Sequence, residues 1–244
     1  MREAVRRTDF IQVQRTAAWS AGRSLRDDLL DRYCSKYRLS EPPPPALIVG
    51  ELITEFLGAR LEYVALAPNV FAEAEWTTYE KVVRVNSQTS RMSGVKDALG
   101  VQRVAEWHEC IHLTEHGPGM NQAGTMLPGF EAPNRFVCRR GEQIDKSAAQ
   151  AAREFRAEEA GRAAAISYRH LNHSKAFCEL LESGNRLANG AAWRCLYRAA
   201  GDIGVNVSAL VTQLQLEGWI HVESSSGSRV LRVQEALISF MEST

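Results

Sequence analysis

Between residues 1 and 39, Leu25, Leu29, Leu30 and Tyr33 recur at helical spacing among charged residues, which predicts an amphipathic helix. The proline run at 42–45 cannot continue that helix and reads as a stiff, extended connector. Leu47, Ile48, Leu52, Ile53, Phe56 and Leu57 then predict a second helix over 46–58, with Gly58 as its stop. The period changes at LEYVALA (61–67) and YEKVVRV (79–85). Their β-branched and aromatic residues partly alternate and predict two neighbouring strands, with a shorter strand at 71–76. Helical spacing resumes near Val95 and runs through Val101, Val104, Ala105, Trp107 and Ile111 to a stop at Gly117-Pro118-Gly119.

Residues 117–143 carry prolines and glycines without a period and read as a long loop. The Ala-rich stretch 146–170 is made of strong helix formers and predicts one long helix, in which Glu159 reads as a solvated glutamate. Beyond it, helices are expected near 176–181, 191–200 and 206–216, the last capped by Asn206 or Ser208. WIHVESSSGSRVLRV closes the chain's pattern as a β-hairpin with a Ser-Gly tip, like the wing of a winged-helix module. These elements predict an α+β protein with a small, mainly antiparallel sheet. They divide it into an N-terminal helical segment with its connector (1–45), a central domain (46–170) and a helical, winged-helix-like region (171–244).

Composition narrows the function classes. The chain has 29 basic and 29 acidic side chains and no net charge, with 45% hydrophobic residues. That excludes collagen, an extended disordered tail and a protein that coats polyanions with a wholly basic surface. No apolar run approaches the roughly 20 residues needed to span a bilayer, so no membrane association is expected. The arginine-bearing N-terminus lacks the apolar stretch of an export signal. Five cysteines, at 34, 110, 138, 178 and 195, are odd in number and widely spread. That pattern argues against a disulfide framework and for a reducing cytoplasm.

The sharpest chemical signal is Trp107-His108-Glu109-Cys110-Ile111-His112, an H-E-x-x-H motif on the predicted helix. Four residues advance a helix by about 6 Å and about one turn, so both imidazoles project from one face. Two such nitrogens suit Zn²⁺. Glu109, beside the first ligand, can take a proton from an attacking water and deliver it to a leaving amine. Cys110 is expected to point away from the histidines into the core. His116 continues the face but lacks the metzincin spacing, and reads as a solvated histidine at the helix end.

At these residues the chain resembles the ImmA/IrrE-type metallopeptidases, over roughly 46–220. The resemblance lies in VVRVN at 82–86, in RVAEWHECIHLTEH at 103–116 and in a later helix. In that family the later helix carries a glutamate, in a pattern like E-x-x-A-N-x-F-A, as third zinc ligand. The matching segment here is Glu154-Phe155-Arg156-Ala157-Glu158-Glu159-Ala160-Gly161. The resemblance therefore implies a zincin-like domain in which Glu154 completes the zinc site and residues 157, 160, 161 and 164 face the core. Glu158 stands where the family has Asn or Asp, and Ala160 where it has an aromatic. Glu158 lies one turn beyond Glu154 on the same face and is the alternative ligand.

The interval from His112 to Glu154 is long for the family and contains Arg135-Phe136-Val137-Cys138-Arg139-Arg140. Arginines beside Cys138 favour its thiolate, a strong zinc ligand, which makes Cys138 a candidate inhibitory fourth ligand. In the C-terminal region, the 208–217 helix offers Gln213 and Gln215 but no basic residue, which argues against sequence-specific DNA reading. The resemblance implies a zinc endopeptidase that cleaves a helix-turn-helix repressor after DNA damage or stress. Such an enzyme would control a mobile-element or antiphage operon, as in the defence-linked CapP branch, with single-stranded DNA as an activator. The alternative is a non-catalytic regulator or binding module with a structural metal site.

Overall fold

Valines at 82, 83 and 85 are all buried, so β3 (Lys81–Asn86) is an interior strand. It lies in a four-stranded sheet with β1 (Arg60–Val64), β2 (Val70–Trp76) and β4 (Asn134–Arg139), in the order β1-β3-β2-β4. The computed structural model describes residues 2–77, 80–115, 134–139, 148–225 and 228–234, with backbone alone at 2–9, 134–139, 225 and 228. The chain is a mixed α/β protein that divides into two units, Met1–Ala165 and Ile166–Thr244. The N-terminal helix thus belongs with the sheet instead of standing apart as a 1–45 segment, and the later boundary falls at 165/166, ahead of the expected 170/171.

In the first unit, β1 and β3 are neighbours but run parallel (Leu61 opposite Val83), while β2 pairs antiparallel with both β3 and β4. β2 is interior and almost wholly buried, which erases the alternation that identifies a one-sided strand. β4 lies within the Pro/Gly stretch expected to be a loop. Asn86, at the end of β3, ties the strand connections together. Its Oδ1 accepts from the backbone N–H of Gln88 at 2.9 Å, and its Nδ2 donates to Val70 O at 2.7 Å. Its carbonyl accepts from Gln102 Nε2 at 2.8 Å.

Three long helices pack in this unit: α1 (Arg2–Tyr37), α3 (Ala98–Glu115) and α4 (Ala148–Ala165). Asp97 caps α3, its Oδ1 accepting from Gly100 N–H at 2.9 Å. The segment expected as one helix over 46–58 is instead a 3₁₀ turn (Pro45–Leu47), a single α turn, α2 (Val49–Glu51), and a π-helical turn (Leu52–Phe56). Its last bonds run Leu57 N–H to Leu52 O and Ala59 N–H to Ile53 O, and Gly58 ends it at φ +64°. The long Ala-rich helix stops at Ala165, where Ser167 turns extended (φ −103°, ψ 115°) before the next helix begins.

The second unit contains α5 (Tyr168–His173), α6 (Lys175–Ser183), α7 (Asn189–Ile203), α8 (Val207–Leu216) and the antiparallel hairpin β5 (Ile220–Ser225) with β6 (Ser228–Val233). Asn206 caps α8, accepting from Ala209 N–H at 2.7 Å. Two asparagines pair with the outer edge of β6. Asn185 donates to Val233 O at 3.0 Å and accepts from Val233 N–H at 2.9 Å. Asn189 donates to Arg229 O and accepts from Leu231 N–H. These side chains satisfy backbone groups that an unpaired strand edge would leave open. Among the described residues, no helix is long and apolar enough to cross a membrane.

Candidate metal centre

From Ala105 to Leu113 α3 is buried on every side, with Trp107, Cys110, Ile111 and Leu113 in the core. That setting takes the two histidines inside: His108 is 5% exposed and His112 fully buried. Their Nε2 atoms lie 3.0 Å apart, with the rings inclined at 68°. From the neighbouring α4, Glu154 brings Oε2 to 3.5 Å from His108 Nε2 and Oε1 to 3.8 Å from His112 Nε2.

The three donors meet as a metal site requires. Ligands about 2.0–2.1 Å from a tetrahedral zinc stand roughly 3.3–3.4 Å from one another, and the observed spacings of 3.0, 3.5 and 3.8 Å bracket that value. Two imidazoles and one carboxylate are also the donor types of a site with an open fourth position. Among the described residues, His108, His112 and Glu154 are the one such group of potential ligands.

Glu109 is fully buried, and neither carboxylate oxygen has a hydrogen-bond partner of full geometry. Burial pushes its carboxyl well above the usual carboxylate range. The charges of Glu154 and Glu73 push the same way, opposed by the backbone N–H of Ala74. A fully buried acid whose neutral form is favoured, beside two histidines, is the arrangement expected of a group that exchanges a proton.

The two candidate third ligands separate. Glu158 leaves the histidines and is 66% exposed, its Oε1 3.5 Å from Arg162 Nη1. Glu159, expected in solvent, is 5% exposed. Trp19 Nε1 of α1 donates to its Oε2 at 2.8 Å, Arg162 pairs with the same oxygen at 2.6 Å, and Arg15 lies 3.4 Å from the other. The correction has a simple cause: packing α1 along α4 covers a face that would be exposed on an isolated helix. Cys110 is in the core, and burial raises its thiol pKa well above the usual range. Cys138 is on β4 opposite Ala72. Its side chain, and all of His116, lie outside the described residues.

Two buried acidic residues escaped the sequence reading, Glu73 beside the site and Glu106 elsewhere on α3. Glu73 is 4% exposed on β2 and adds negative charge facing Glu109. Its signal is a charged residue in an otherwise apolar strand start, VFAEA. Glu106, on α3, is 3% exposed and accepts a hydrogen bond from Tyr63 OH at 3.0 Å. Burial pushes Glu106 up to about 7, and only the β1–α3 contact explains its placement.

No protein-family model, curated protein or solved structure matches this chain.

Proposed function

We propose that this protein is a zinc-dependent endopeptidase with a zincin-like first unit and a winged-helix-like second unit. One observation carries the reading: His108, His112 and Glu154 converge with metal-ligand spacing beside the buried carboxylate of Glu109. Zinc held there would supply Lewis-acid chemistry and would offset the negative charge around Glu109. His108, His112 and Glu154 are the residues that would hold the ion. Glu109 takes the proton of the attacking water on a carboxylate oxygen and returns it to the leaving amine nitrogen. Exclusion of solvent strengthens each of these charge interactions.

The resemblance to ImmA/IrrE-type peptidases extends the proposal to a helix-turn-helix repressor as substrate, cut in a stress or antiphage response in the cytoplasm, with single-stranded DNA as activator. The second unit suits a role in partner contact more than DNA reading. The exposed positions of α8, Ser208 and Thr212, carry no charge.

Glu109→Gln tests the enzyme. The variant should bind zinc as the parent does and lose cleavage of a helix-turn-helix repressor substrate by at least about a hundredfold. Full retention of regulation by Glu109→Gln would favour a non-catalytic binding module with a structural metal.

A further inference from the structure

The separation between α3 and α4 is set by glycine. A methyl group built on Gly161 would lie 2.8 Å from both the Cα and the backbone N of His108, and 3.1 Å from the carbonyl carbon of Trp107. Carbon atoms in ordinary contact stand about 3.5–4.0 Å apart, so only a residue without Cβ admits this approach. The opposite side of α4 is closed in the same way. A methyl on Gly22 of α1 would lie 2.1 Å from the carbonyl oxygen of Ala160. α4 is therefore gripped backbone to backbone between α1 and α3, with no room to retreat toward α1. The bond from Trp19 to Glu159, at 2.8 Å, secures the same turn.

Glu154 lies on that helix two turns before Gly161, about 10 Å along the axis. A helix this short moves as a rigid rod, so a displacement at Gly161 reaches Glu154. The carboxylate already stands 3.5 and 3.8 Å from the two imidazole nitrogens, the wide side of tetrahedral spacing. Further separation of the two helices weakens its reach to a shared coordination sphere.

We propose that Gly161, backed by Gly22, is the positioning residue that sets the distance of Glu154 from His108 and His112. This inference rests on the metal-centre reading and adds the element that tunes its affinity. The contact falls on the backbone of His108 itself, so the ligand and the carboxylate are positioned by one interface.

The test is metal binding by the full chain, read by zinc competition against a chromophoric chelator and by the visible absorption of the Co²⁺ form. Gly161→Ala should fold with unchanged far-ultraviolet circular dichroism, bind zinc at least about tenfold more weakly and lose intensity in the tetrahedral Co²⁺ bands. Gly201→Ala, where a methyl meets nothing within 4 Å, should bind as the parent does. Parent-like affinity and spectrum in Gly161→Ala overturn the inference while leaving the metal centre intact. A parent protein that binds no zinc overturns the metal centre and this inference with it. If Gly161→Ala fails to fold, Trp19→Phe, which frees the same turn of α4, should weaken zinc severalfold, and unchanged affinity there overturns the inference.

Discussion

Glu154 Oε2 of α4 lies 3.5 Å from His108 Nε2 of α3, whereas Glu158, one turn along the same helix, is 66% exposed beside Arg162. Glu154→Gln should therefore weaken zinc binding by about tenfold to a hundredfold or more. Glu158→Gln should leave it unchanged. Equilibrium competition with a chelator separates the two, and a larger loss at Glu158 would reverse the assignment.

Glu109 carries two buried oxygens without a full hydrogen bond, an arrangement that destabilises the folded chain. In metal-free protein, Glu109→Met should raise unfolding stability by about 1–2 kcal/mol. Urea denaturation gives the number, and a destabilised variant would mean that the carboxylate is held by contacts stronger than those seen.

Glu159 compensates Arg162, both nearly buried, and accepts from Trp19. Glu159→Ala should cost about 3–5 kcal/mol, because it removes the nearer carboxylate, 2.6 Å away, from a buried guanidinium. Glu158→Ala, at an exposed position of the same helix, should stay within about 0.5 kcal/mol of the parent. Thermal or chemical unfolding of the pair is decisive.

Tyr33 donates to Glu51 Oε2 at 2.8 Å, and burial followed by this bond pushes its phenol up to about 12. The folded value exceeds that of the unfolded chain, about 10. Its contribution is thus fully present below about pH 10 and is lost as pH rises through the folded value. Tyr33→Phe should be less stable by about 1 kcal/mol at neutral pH, and the gap should narrow above about pH 10. Paired urea melts at about pH 8 and about pH 11 check the sign.

The elements legible in the sequence are those written in local chemistry. Gly58 ends its segment in the left-handed region, and Asn206 caps α8. The two apolar runs around SSSGS pair as a hairpin. Where a neighbour sets the outcome, the pattern misleads. β4 forms within a Pro/Gly stretch because β2 offers it an edge, and β1 takes the far edge of β3, running parallel to it, because β2 occupies the other side. The 45–56 segment is apolar enough for one helix, yet its bonds change from 3₁₀ to α to π along its length.

On its own, the sequence determined that His108 and His112 share a face, because four residues make about one turn of any α-helix. It also put Glu109 beside them and Cys110 in the core by the same local geometry. It did not choose between Glu154 and Glu158, nor reveal that Glu159 is buried, since all three are equally good helix residues and an isolated helix exposes them alike. That choice belongs to the tertiary structure. The glycine contacts that seat α4 between α1 and α3 decide which carboxylate reaches the imidazoles, because a ligand set drawn from two helices depends on their relative position, which no single stretch of chain encodes.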